Sequence, residues 1–83
     1  MKTHEMTIQS SGMKAKSVRS FIQVAEQYKS GIWIEHDGHR TNAKSVLGIM
    51  SAQLSRGSTI TLLADGVDEN DAIHALDALV SGF

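Results

Sequence analysis

One short run, Asn42-Ala43-Lys44-Ser45-Val46-Leu47-Gly48-Ile49-Met50-Ser51, sets a serine where a short helix should begin and follows it with apolar residues on more than one face. Serine is among the preferred N-cap residues: its side-chain oxygen accepts a backbone N–H of the first turn, which stabilises a helix by ~1 kcal/mol. The same hydroxyl can be phosphorylated. A phosphoryl group there would bring a charge of about −1.5 to −2 to the positive end of the helix dipole, among N–H groups that have no intrahelical partner. Ser45 is therefore either a plain cap or a cap that doubles as a modifiable hydroxyl.

The apolar residues at 46, 47, 49, 50 and 54 are too closely spaced around a helix to share one stripe, so at least Leu47 or Met50 must point away from any single packing surface. A chain of 83 residues buries only about two-thirds of its unfolded surface, which leaves little material to enclose a short helix on all sides. The side chains left over, Leu47 or Met50 among them, thus read as a partner-binding patch, with ordinary core packing as the alternative. A dianion at Ser45 would change which partner that patch fits, because the net charge of −1 is small enough for the addition to dominate the local field.

Other groups offer less. The histidines are His4, His36, His39 and His74; His36 and His39 flank Asp37-Gly38, but two ligands without a third make a poor metal site, and solvated hairpin residues are the simpler reading. Lys14 and Lys16, at the start of the first helix, either draw an anion to its N-terminus or are solvated surface lysines. No serine–histidine–acid grouping and no phosphate-cradling glycine loop is found, so neither a catalytic residue nor a cofactor is expected.

Composition bounds the rest. Eight basic residues balance nine acidic ones, without a basic stripe, and the only aromatics are Phe21, Tyr28, Trp33 and Phe83; direct nucleic-acid binding is not expected. The absence of cysteine excludes disulfides and thiolate metal sites. No run approaches 18 apolar residues and no cationic start precedes an apolar segment, so we expect a soluble, cytoplasmic chain with no membrane partner, folded as one domain over residues 1–83.

The elements that must position Ser45 follow from periodicity. Met6 and Ile8 alternate with polar neighbours in a strand over His4 to Gln9. Val18, Phe21, Ile22 and Ala25 fall at helical spacing from about Ser17, with Tyr28 extending the stripe before Ser30-Gly31 stops it. Ile32 and Ile34 mark a strand, Asp37-Gly38 a tight hairpin turn, and His39 to Asn42 its return. After the helix at Ser45, Ser55-Arg56-Gly57 turns the chain into a strand over Thr59 to Ala64 with Ile60 and Leu62 inward. Glu69 to about Ser81 carries Ala72, Ile73, Leu76, Leu79 and Val80 on one helical face, with Asp68, Glu69 and Asp71 near its positive end. The order β-α-β-β-α-β-α predicts an α+β open-faced two-layer sandwich: a four-stranded antiparallel sheet covered by three helices on one side, with Glu35, Thr59 and Thr61 on the face left to solvent.

This order, the Asn42–Ser51 run and the passage Ala64-Asp65-Gly66-Val67-Asp68-Glu69 resemble the HPr family, the small phosphocarriers of the bacterial sugar phosphotransferase system, over essentially the whole chain. The resemblance implies that Ser45 is the family's phosphorylatable serine and that Val46, Leu47 and Met50 match its docking positions. The family's other motif, Gly-Leu-His-Thr-Arg-Pro-Ala, corresponds to Gly12-Met13-Lys14-Ala15-Lys16-Ser17-Val18. Lys14 stands in place of the histidine that accepts phosphate from enzyme I, Lys16 in place of the arginine and Ser17 in place of the proline. An exposed lysine with a pKa of ~10.4 is protonated and has no free lone pair, so carrier activity on that residue is not expected.

An HPr-like chain with the serine and without the histidine is similar to Crh-type members, which act in carbon catabolite repression. That likeness implies HPr kinase/phosphorylase and a LacI-type catabolite control protein as partners, with Met13, Lys14, Lys16, Val46, Leu47 and Met50 on the contact surface. Crh-type chains usually keep the arginine and proline; Lys16 can supply charge but not a bidentate fork. The alternative is a phosphorylation-independent module that binds a metabolic or transport protein through Met13, Leu47 and Met50, methionine being adaptable at such surfaces.

Overall fold

In the computed structural model, which describes residues 1–9 and 15–82, the chain runs β1 (Lys2–Thr7), α1 (Ala15–Ala25), β2 (Gly31–His36), β3 (His39–Asn42), α2 (Val46–Ser51), β4 (Thr59–Asp65) and α3 (Glu69–Ser81). The strands form one antiparallel sheet in the order β1-β4-β2-β3. The last strand in sequence is thus inserted between the first two. Its registers place Leu62 opposite both His4 and Ile34, which brings the apolar residues of three strands onto one face.

That face and the helices enclose the core. Phe21, Leu62 and Leu76 have no exposure, and Ile34, Ile49 and Val80 have 1%. Each such side chain contributes ~1.5–3 kcal/mol relative to an exposed position. Ile8, one residue beyond β1, is equally buried because its backbone continues the pairing, donating to Ser58 O at 2.8 Å and accepting from Gly57 N at 2.8 Å. The β2–β3 hairpin turns through Asp37 (φ 52°) and Gly38 (φ 79°), the paired positive angles of a two-residue turn that matches strand twist.

Three features differ from the periodicity. α1 ends at Ala25, short of Tyr28, because the chain tightens there: Gln27 N bonds Val24 O at 3.1 Å and Tyr28 N bonds Ala25 O at 3.3 Å. Tyr28 still packs on the core, but from a turn. The sheet face away from the helices is not wholly polar either. Leu63, beside Trp33 and Thr3 in register, is only 4% exposed, and the Trp33 ring lies where a Cβ on Gly31 would stand, 2.6 Å from its Cη2. Lastly, Asp68 occupies the N-cap position of α3 without capping it; its carboxylate reaches back to the α1–β2 corner instead.

Candidate functional site

The hydroxyl of Ser45 sits at the mouth of α2. Ser45 is extended (φ −105°, ψ 117°), and its Oγ accepts the Gly48 amide at 3.1 Å while its carbonyl accepts that of Ile49 at 3.1 Å. That is the geometry of an N-cap. Since Oγ accepts in this bond, its own proton is not committed by it. The residue is half-buried, with its backbone set by the segment before it: Asn42 Oδ1 accepts Lys44 N at 2.9 Å, Asn42 O accepts Ser45 N at 3.1 Å, and buried Ala43 donates to Ile32 O at 2.9 Å.

Beyond the cap, α2 divides its side chains sharply. Ile49 is buried, while Leu47 is 78% exposed, Val46 54% and Met50 52%. Gly48 lies against β3, where a Cβ would come within 2.8 Å of the Thr41 methyl, so a side chain there would lift the helix from the strand. At its other end α2 stops at Gln53, a non-glycine residue in the left-handed region (φ 52°). The capping hydroxyl is thereby flanked by three projecting apolar side chains on one short helix.

Lys44 enters this site without having been legible as part of it. Its Nζ donates to Tyr28 O at 2.9 Å and Ser30 O at 3.0 Å, carbonyls of the α1–β2 corner. From the other side, the Asp68 carboxylate accepts Lys29 N at 2.8 Å, Ser30 N at 3.0 Å and the Ser30 hydroxyl. The Ser30 hydroxyl bond is the main reason the Asp68 carboxyl is held below its ordinary pKa, with the Lys29 amide next and partial desolvation opposing. Gly66 lets the chain pass there: a Cβ would stand 2.7 Å from Ser30 Cα. Sequence separations of 14 and 16 residues from Lys44, and 38 and 39 from Asp68, hide this corner from any local pattern.

The other candidate positions are spread more widely. Lys16 lies in the first turn of α1 and is exposed, and no hydrogen bond joins it to Ser45 among the described residues; Met13 and Lys14 lie outside those residues. His36 and His39 face each other in the hairpin register, with His36 Nε2 3.6 Å from Asp37 Oδ2. His4 Nε2 lies 3.1 Å from Asp77 Oδ1, tying β1 to α3.

Comparison with known proteins agrees with this layout. The family described as "PTS HPr component phosphorylation site" matches residues 2–82. The HPr-like protein Crh of Halalkalibacterium halodurans is 45% identical over 69 residues, 83% of this chain and 82% of the relative; that of Bacillus subtilis is 41% identical over 69 residues, 83% and 81%. Phosphocarrier protein HPr of Neisseria meningitidis is 38% identical over 72 residues, covering 87% of this chain and 81% of that protein. Among solved structures, HPr-C-His of Thermoanaerobacter tengcongensis superposes with a TM-score of 0.95 at 40% identity, over 99% of this chain and 93% of that one. Bacillus subtilis Crh gives a TM-score of 0.80 at 36% identity, over 93% and 88%. With its α+β sandwich, its serine at the head of α2 and this whole-length similarity, the chain belongs to the HPr family and is similar to Crh members of it.

Proposed function

We propose that this chain is a Crh-type regulatory phosphoprotein of the bacterial sugar phosphotransferase system and carbon catabolite repression, phosphorylated on Ser45 by HPr kinase/phosphorylase in the cytoplasm. The observation that carries the reading is the Ser45 hydroxyl at the N-cap of α2, accepting from Gly48 N and flanked by exposed Val46, Leu47 and Met50. A phosphoryl group there meets the amide-rich end of α2, and the three apolar side chains give the modified surface its shape. The phosphoprotein then docks on a LacI-type catabolite control protein that offers arginine or lysine to the phosphate and an apolar pocket to Leu47 and Met50.

Histidine phosphocarrier activity is not part of this reading. Position 14 is lysine, whose ammonium lacks the lone pair that attacks phosphorus, and His4, His36, His39 and His74 lie in β1, the hairpin and α3. The protein acts through contacts and not as an enzyme. Among the described residues no helix is long and apolar enough to cross a membrane.

The test is incubation with HPr kinase and ATP, read by intact mass, beside the Ser45→Ala variant. One added phosphate on the wild type and none on the variant is expected. No uptake by the wild type abandons the phosphoprotein reading in favour of a phosphorylation-independent module acting through the same Leu47 and Met50 surface. Incubation with enzyme I and phosphoenolpyruvate should leave the chain unmodified; an acid-labile phosphate would contradict the assignment.

A further inference from the structure

The N-cap of α2 is tied to a distant part of the molecule by Lys44. Its backbone immediately precedes Ser45, and its Nζ bonds Tyr28 O at 2.9 Å and Ser30 O at 3.0 Å. The corner that receives it is fixed from the opposite side by Asp68, through the Lys29 and Ser30 amides and the Ser30 hydroxyl. Asp68 is in turn set by the entry to α3, where Glu69 Oε1 accepts Gly66 N at 3.1 Å. A cation thus satisfies the corner's carbonyls and an anion its amides.

Two consequences follow for Ser45. The ammonium of Lys44 is directed into the corner, and charge-assisted bonds to two carbonyls hold it there in preference to a position beside the hydroxyl. Its influence on Ser45 is accordingly one of position. α2, at six residues, is also too short to hold itself in place by helix propensity. Its start is set by the Asn42 turn, by the Ala43 bond to Ile32 and by the Lys44 tether.

We propose that Lys44 is a positioning residue for phosphorylation of Ser45, acting through the Ser30–Asp68 corner and not by contact with the phosphoryl donor. This rests on the phosphoprotein reading above. Asp68, on the far side of the corner from the hydroxyl, then becomes a determinant of how well Ser45 serves as acceptor.

The experiment measures kcat/KM for phosphorylation by HPr kinase and ATP, and amide hydrogen exchange at Gly48 and Ile49 against the core amides of α3, for wild type, Lys44→Met, Lys44→Arg, Asp68→Ala and the Lys44→Met/Asp68→Ala double variant. Lys44→Met and Asp68→Ala should each lower kcat/KM about tenfold and speed exchange at Gly48 and Ile49 several-fold more than in α3. Their effects should combine to much less than the product, and Lys44→Arg, which can still reach both carbonyls, should recover most of the rate. Exchange that rises equally in α3 means general destabilisation and overturns the proposal. So does a rate lowered by Lys44→Met but untouched by Asp68→Ala, which would place the ammonium against the kinase. If the wild type accepts no phosphate, the phosphoprotein reading falls by itself, and the tether is then upheld or rejected by the exchange ratios alone.

Discussion

α2 and α3 are both helices with apolar residues, yet they use them oppositely. α3 buries Ala72, Ile73, Leu76 and Val80 against the sheet and α1, and no large apolar side chain projects from it. α2 buries Ile49 alone and leaves Val46, Leu47 and Met50 half or more in solvent. Thirteen residues make α3 long enough to be held by its own packing face, whereas the six of α2 are held at their ends. Buried apolar contact is concentrated in one helix and exposed apolar surface in the other. Val46, Leu47 and Met50 can therefore be replaced at little cost to the fold.

The strongest way to break this division is to truncate matched leucines. Leu76→Ala in α3 should destabilise the protein by ~2–5 kcal/mol, the usual cost of emptying a filled core site. The readout is urea unfolding. Leu47→Ala in α2 should change stability by no more than ~0.5 kcal/mol, as for a surface substitution. Binding should respond in the reverse sense: Leu47→Ala, at the centre of the exposed patch, should cost ~2 kcal/mol of affinity for the catabolite control protein by calorimetry on phosphorylated material. Equal stability losses in the two variants would mean that α2 is part of the core in solution.

Ser45→Ala sharpens the comparison from within α2. Loss of the bond from Gly48 N should lower stability by ~1 kcal/mol, read from the urea midpoint at constant slope, and should abolish phosphate uptake. Ser45→Gly should recover most of the stability and none of the uptake, which separates the cap from the modification. A stability loss well above this range would place the hydroxyl in a larger network than the single bond at 3.1 Å.

Much of this division was legible beforehand, for a physical reason. Side-chain periodicity reports which faces are covered, so α3 was bounded at Glu69 and Ser81, the hairpin at Asp37-Gly38 was plain, and the crowding of apolar residues after Ser45 signalled a helix unable to hide them all. Periodicity is blind to bonds between side chains and distant backbone. No pattern singles out Lys44, Ser30 reads as a helix stop and Asp68 as a helix-dipole anion, yet they meet at one corner. Leu63 was hidden for a similar reason: its strand alternates correctly, but the residue is buried on the face expected to be open, opposite Trp33 in register.

The smallest expected effect concerns that corner, because Asp68 lies close enough to solvent for its charge to be partly screened. Its carboxyl is held below the ordinary value chiefly by the Ser30 hydroxyl, then by the Lys29 amide. In the unfolded chain those partners are gone and the group returns to ~3.9, so the unfolded state binds the proton first as pH falls. The contribution is therefore complete above the ordinary carboxylate range and is lost as pH falls through the folded-state pKa. Asp68→Asn removes the titration but keeps a carbonyl oxygen to receive amides. The gap in stability between wild type and Asp68→Asn, followed by urea unfolding from neutral pH downwards, should be constant near pH 7 and should narrow below about pH 4. A gap that stays constant into acid would mean that the carboxylate is not charged in the bond it makes with Ser30, and that the corner is held by its geometry alone.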